Sequence, residues 1–201
     1  MGNATILFKK PSLVIKLIFK KLDKIFIKKE FCILSNNCWG GEVYKNLNIQ
    51  YNTPFVGVYL YPKDLMKYIK DIDLFLEYEV KNNDFVKNDD VITLCIFGVK
   101  VYFLHYDSID EAVIKWNRRT KRLKNFILKY GKKNLIIKIC ECDSILDDVE
   151  ECFFRENCHN SLILRRKSFF LRFYKNFPNG VKLFNLRFLY YISYIRVFRN
   201  K

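Results

Sequence analysis

Apolar residues fall along this chain in two rhythms that take turns. Short runs rich in β-branched and aromatic residues have the length and composition of strands: Cys32 to Leu34, Phe55 to Tyr61, Leu76 to Val80, Val91 to Phe97, Val99 to Leu104, Leu135 to Ile139 and Leu162 to Leu164. Between several of them, apolar positions recur at helical spacing and predict helices over Gly41 to Leu47, Lys63 to Ile72, Ser108 to Asn125 and Ser144 to Phe154. The alternation predicts an α/β domain, a single mixed sheet with helices on its faces. Val91 to Leu104 reads as an antiparallel hairpin turning at Gly98, and Ser108 with Glu111 three residues on reads as a capping box at a helix start.

The ends follow a different pattern. After Pro11-Ser12, lysines 16, 20, 24 and 28 recur every four residues among Leu13 to Ile15, Leu17 to Phe19, Leu22 and Ile25 to Ile27, which makes a basic amphipathic helix. From Phe169 onward aromatics alternate with arginines, and Phe188 to Ile195 carries no charge. The chain therefore divides into a basic amphipathic segment (1–30), an α/β body (31–166) and an aromatic, basic extension of that body (167–201). Its 201 residues suffice for one domain with a sizeable core.

Charge sharpens this division. The formal net charge is +15, and 27 of the 36 Lys and Arg residues lie in three stretches, Lys9 to Lys29, Lys115 to Lys133 and Arg165 to Lys201, whose one acid is Asp23. Strong positive patches follow, suited to phosphates, acidic lipid or nucleic acid. An anionic membrane surface is the expected partner of the two ends, since no charge-free run approaches the ~20 residues of a spanning helix. Packing of the same apolar face on the domain's own core is an equal alternative for the N-terminal helix. Interleaved rings and guanidinium groups also suit single-stranded nucleic acid, but no RNA-binding motif is present, so nucleic acid ranks lower. An odd number of cysteines, with Cys32, Cys95, Cys140 and Cys142 inside apolar runs, argues for buried thiols in a reducing cytoplasm, and no signal-peptide pattern opens the chain. Cys140, Cys142, Cys152, Cys158 and His159 lack the paired spacing of structural zinc, so no metal is expected. Neither a cofactor nor an oligomeric state is implied.

Candidate chemistry concentrates where Phe31 to Leu34 runs into Ser35-Asn36-Asn37-Cys38-Trp39-Gly40-Gly41-Glu42. Glycines and a helix start can bring backbone N–H groups to a phosphate or carboxylate, although neither dinucleotide nor P-loop spacing is present. Equally, Asn36 can cap the helix while Cys38 and Trp39 fill the core. In an α/β sheet, ligands settle outside the carboxyl ends of strands, where His105 also lies. His105 and Cys38 make a candidate acyl-transfer dyad; alternatively His105 or Glu42 takes a sugar hydroxyl's proton while Arg118 and Arg119 hold diphosphate. Arg118 and Arg119 are otherwise an ordinary solvated helix face.

Four blocks carry a resemblance: the Ser35 to Gly41 turn, Tyr51-Asn52-Thr53-Pro54-Phe55-Val56-Gly57, Leu104-His105-Tyr106, and the helix with Glu111-Ala112 and Lys115-Trp116-Asn117-Arg118-Arg119. Their order and spacing, from Phe31 to Arg166, resemble a bacterial family of unknown mechanism associated with exopolysaccharide biosynthesis. The sequence departs from it at Asn117, where an acid is common, and matches loosely from Asp84 to Phe97. The resemblance implies a protein of surface-polysaccharide synthesis, with an activated or lipid-linked sugar as partner. It adds Asn52, Thr53, Tyr106 and Trp116 to the ligand-binding candidates. A transferase is the leading expectation, and a non-catalytic module binding acidic glycan, lipid or a pathway partner is the alternative.

Overall fold

A computed structural model describes residues 12–28, 30–141, 144–166 and 178–199. Helix α1 (Leu13–Phe26) leads to β1 (Cys32–Ser35), α2 (Trp39–Leu47), β2 (Val58–Tyr59), α3 (Pro62–Lys70), α4 (Ile72–Glu77) and the strands β3 (Phe85–Asn88), β4 (Val91–Ile96) and β5 (Val99–Phe103). The long helix α5 (Ile109–Tyr130), β6 (Leu135–Cys140), α6 (Asp148–Asn157), β7 (Asn160–Leu164), α7 (Gly180–Asn185) and α8 (Tyr191–Arg199) complete it. The α/β class is as the pattern indicates, but the strands divide between two sheets. One is parallel, ordered β1-β6-β7; the other is antiparallel, ordered β2-β5-β4-β3.

Burial follows each sheet's type. Along β1 and β6, Cys32, Leu34, Leu135, Ile137 and Ile139 point into one apolar cluster while Ile33, Ile136 and Cys140 point into another, so the parallel sheet is covered on both faces. The first cluster fills the space toward the antiparallel sheet with Phe55, Tyr68, Phe75, Phe103 and Trp116; the second holds Trp39, Tyr44, Leu183 and Tyr194 under α2, α7 and α8. The antiparallel sheet has one wet face, which places Cys95 in solvent beside buried Leu94 and Ile96. Cys95 thus departs from the expected burial because strand alternation turns it outward. Cys142 and the start of the aromatic tail, Phe169 to Phe177, lie outside the described residues.

Local chemistry explains the boundaries. Phe97 (φ 50°) and Gly98 (φ 71°) both take positive φ, the conformation a tight hairpin turn requires, and join β4 to β5 as predicted. Ser108 Oγ accepts from Glu111 N (3.2 Å) at the start of α5, while Glu111 reaches back to Asp107 N (3.0 Å), one residue beyond the box. Leu76 to Val80, predicted as a strand, is instead the end of helix α4 and a following loop: Phe75 packs on the rings of Tyr68 and Phe97, and a short apolar run cannot reveal its period. Asn117 accepts from Val80 N (3.0 Å) and donates to Val80 O (2.8 Å), fastening that loop to α5. A carboxylate there would make the first bond and oppose the second.

Helix α1 is clamped by charge. Asp23, fully buried, accepts from Arg187 Nε (2.9 Å) and Nη2 (2.8 Å) and from Asn46 Nδ2 (2.7 Å), while Phe19 packs edge-on to Tyr191. Burial nonetheless raises the Asp23 carboxyl above its ordinary range, with Arg187 opposing. Arg187→Met, which leaves the carboxylate buried and unpaired, should cost about 3–5 kcal/mol in urea unfolding, and pairing it with Asp23→Leu should recover most of that. Because Arg187 holds the Asp23 carboxyl down against burial, its loss makes the folded variant bind that proton more tightly than folded wild type, so the deficit should shrink as pH falls. A deficit under about 1 kcal/mol would show that the pair does not hold α1.

Candidate functional site

The turn after β1 is consumed by the protein's own hydrogen bonds. Asn36, fully buried, uses every polar group: its backbone N donates to Lys138 O (3.2 Å), its backbone O accepts from Leu60 N (3.0 Å), Nδ2 donates to Cys140 O (3.0 Å) and Oδ1 accepts from Cys140 N (3.0 Å). The side chain prolongs the β1–β6 ladder by one rung, and the carbonyl ties it to the segment after β2, joining the two sheets. Asn37 Oδ1 accepts from Trp39 N (3.2 Å) and from the buried Lys138 Nζ (2.8 Å), which also lies 5.7 Å over the Trp39 ring. Ser35 Oγ reaches Asn37 Oδ1 (3.4 Å), and Trp39 Nε1 donates to Tyr190 OH (3.0 Å).

Close packing seals the start of α2. A β-carbon on Gly180 would lie 2.6 Å from Trp39 N and 2.9 Å from Cys38 N, so α7 sits directly on those amides. A β-carbon on Gly40 would meet that of Ser35 at 3.0 Å. Ser35, Asn36, Asn37, Trp39 and Gly40 are therefore interior residues of the turn. Asn52 bridges Phe31 O (2.7 Å) and Tyr44 OH (2.5 Å), Thr53 Oγ1 accepts from Phe55 N (3.3 Å), and Trp116 packs between Phe55 and Phe103. Arg118 is exposed on α5.

What remains of the predicted set converges on one cavity. A space of about 570 Å³ is lined by Cys38, Gly41, Glu42 and Lys45 from α2 and its cap, Tyr51, Val56 and Gly57 from the loop before β2, His105 and Tyr106 after β5, Lys115 and Arg119 from α5, and Val181. Segments that follow a strand of each sheet thus contribute, and Cys38 and His105 both line the space. Gly57 takes φ 74°, and a β-carbon there would meet the Tyr106 ring at 3.2 Å, so the loop can close only as glycine.

Arg119 is the electrostatic centre. Its residue is 7% exposed. Nη1 donates to Tyr106 OH (2.5 Å) and Val56 O (3.3 Å), Tyr106 OH donates to the same carbonyl (2.7 Å), and the guanidinium lies 5.1 Å over the Tyr51 ring. Its buried Nε has no partner. Lys115 pairs with Glu111 and lies 5.4 Å over the Tyr106 ring, and Lys45 pairs with Glu42 (2.7 Å). Burial raises the Tyr106 hydroxyl against the pull of Arg119, and burial together with Glu42 raises the Cys38 thiol against Lys45 and Lys138. Cys38 is accordingly a thiol rather than a thiolate at neutral pH. The cavity pairs a cationic wall and two tyrosines with one exposed imidazole, an arrangement able to hold a phosphorylated ligand.

Sequence reasoning missed Lys45, Tyr51, Val56, Gly57, Lys115 and Val181. One signal was available: Lys115 and Arg119 are four apart and share a helix face, whereas Arg118 points about a quarter-turn away. No group of three or more His, Cys, Asp or Glu residues suited to a metal occurs among the described residues.

A family profile described as a domain of unknown function, DUF1919, matches residues 10–186. A protein of Haemophilus influenzae, described as an uncharacterized protein, is 28% identical over 152 residues, covering 76% of this chain and 69% of the relative.

Because Asn36 satisfies both buried backbone groups of Cys140, Asn36→Ala should lower stability on the order of 3 kcal/mol in chemical denaturation. An unchanged midpoint would mean that the side-chain rung is dispensable.

Proposed function

The chain belongs to the DUF1919 family, and from that premise we propose that it is a transferase of surface-polysaccharide biosynthesis that takes an activated or lipid-linked sugar into the cavity around Arg119. The observation that carries this reading is the buried Arg119 guanidinium in the cavity wall beside Lys45, Lys115 and Tyr51, whose Nε has no hydrogen-bond partner. A buried cation with unpaired donor capacity favours an anion with several acceptor oxygens, as a sugar phosphate or diphosphate presents. Tyr51 and Tyr106, each beneath one of these cations, line the same space and bring apolar ring surface toward a sugar. The pathway itself is inferred from the Ser35 to Gly41, Tyr51 to Gly57 and Leu104 to Tyr106 blocks.

Between the two transferase chemistries, the site favours glycosyl or phosphosugar transfer over acyl transfer. An acyl-enzyme needs a thiolate at Cys38, and burial and Glu42 both oppose it. Such an enzyme also needs N–H donors for an oxyanion, and the amides of Cys38 and Trp39 beside the thiol are covered by Gly180. His105 then acts as general base on the acceptor hydroxyl, Arg119 and Lys115 hold the phosphate that leaves, and Glu42 keeps Lys45 oriented at the rim.

Calorimetric titration with nucleotide sugars and polyprenyl phosphosugars, followed by turnover of whichever binds, tests this directly. Arg119→Gln should weaken binding roughly tenfold to hundredfold, with exposed Arg118→Gln as the silent control. His105→Ala should bind normally and lose on the order of 10²–10⁴ in rate, while Cys38→Ser keeps both. Binding without turnover, unaffected by His105→Ala, would make the chain a glycan-binding module instead; loss of turnover in Cys38→Ser with His105→Ala would restore the acyl-transfer reading.

A further inference from the structure

Helix α1 spends only one side on the fold. Asp23 and Ile27 are buried and Phe19 packs on Phe188 and Tyr191, whereas Leu13, Val14, Leu17, Ile18 and Ile25 are 49–72% exposed. On a helix these five positions share one arc of roughly 140°. Lys21 and Lys24 fall in that arc and Lys28 follows the end of the helix, all three exposed. On neighbouring α8, Ile192 is 87% exposed and shares a groove with Phe26 of α1. That groove, of about 380 Å³, runs between the helices, floored by Phe26, Tyr191 and Ile195 and edged by Arg196 and Arg199. The Arg199 guanidinium lies 4.5 Å over the Phe26 ring.

Charge identifies the occupant. The single acid of α1 is Asp23, turned inward onto Arg187, and α8 has none, so the exposed face of the two helices carries cations among apolar side chains and no acid of either helix. A second copy of the chain would set lysine against lysine across a dyad. An α1 of 14 residues is about 21 Å long, too short to cross a bilayer, and no described helix is long and apolar enough to do so. We propose that α1 and α8 form a docking face that lies in the interface of an anionic bilayer, aliphatics among the acyl chains and Lys21, Lys24, Lys28, Arg196 and Arg199 at phosphate level. This face stands independently of the transferase reading. It also sits one helix from the cavity, since Asn46 of α2 is tied to Asp23 of α1 and neighbours Lys45.

Sedimentation of the full chain with vesicles of phosphatidylcholine, with and without phosphatidylglycerol, tests the proposal. The wild type should bind only the anionic vesicles and release as salt rises. Leu17→Glu with Ile25→Glu, and separately Lys21→Glu with Lys24→Glu, should each reduce binding roughly tenfold or more while unfolding midpoints stay unchanged, because all four side chains are exposed. Equal binding to neutral vesicles, binding that survives the aliphatic pair of substitutions, or no vesicle binding would overturn it. A concentration-dependent dimer broken by Leu17→Glu with Ile25→Glu, in a chain that ignores vesicles, would assign the face to a second copy.

Discussion

Asn36 holds the molecule's two halves in register. It follows the last residue of a parallel strand, where the backbone ladder would otherwise stop, and its amide supplies one more rung to Cys140 while its main chain reaches both Lys138 and Leu60. A buried amide is well matched to this position because it donates and accepts at once and carries no charge to desolvate. The Gly57 loop and the strand that ends before His105 belong to the second sheet, which meets the first through that junction and the apolar cluster the two share. The cavity is the space left where two sheets of different type meet.

The same economy explains why so polar a turn contains so few ligand-facing groups. Ser35, Asn37, Lys138 and Trp39 form a hydrogen-bonded and cation–π network in a region almost without solvent, where each polar atom must be answered from inside. Gly40 and Gly180 are required by close approach of the chain to itself, not by a ligand. Chemistry is left to the layer outside this network: a raised thiol, a carboxylate already paired with lysine, an exposed imidazole, and the buried arginine whose Nε is unpaired.

Positive charge is distributed by the same packing logic. The cationic stretch of α5 splits by helix face: Arg119 turns into the cavity, Arg122 reaches Tyr51 O (3.0 Å), Lys121 and Lys124 pair with Glu79 and Glu77, and Arg118 stays in solvent. In α1 the fold buries the one acid and exposes the lysines, which concentrates positive potential on an apolar face.

Much of this was readable in the residues. The strands β1, β4, β5, β6 and β7, the hairpin at Gly98 and the helices α1, α2, α3, α5 and α6 follow from apolar period and turn chemistry, which are local properties. Strand β3 and helices α4, α7 and α8 did not, because their apolar runs are short and their type is set by the partners they pack on. The Cys38, Glu42, His105, Tyr106 and Arg119 group was legible as residue types at strand ends and on one helix, yet the sequence could not separate Arg119 from Arg118, or Glu42 from Asn36 and Asn37. A sequence by itself determines which segments can be strands or helices and which chemical groups exist, since those depend on neighbours in the chain. Only the tertiary structure decides which polar side chains must satisfy buried backbone and which are spared to face a cavity, because that division depends on groups a hundred residues away.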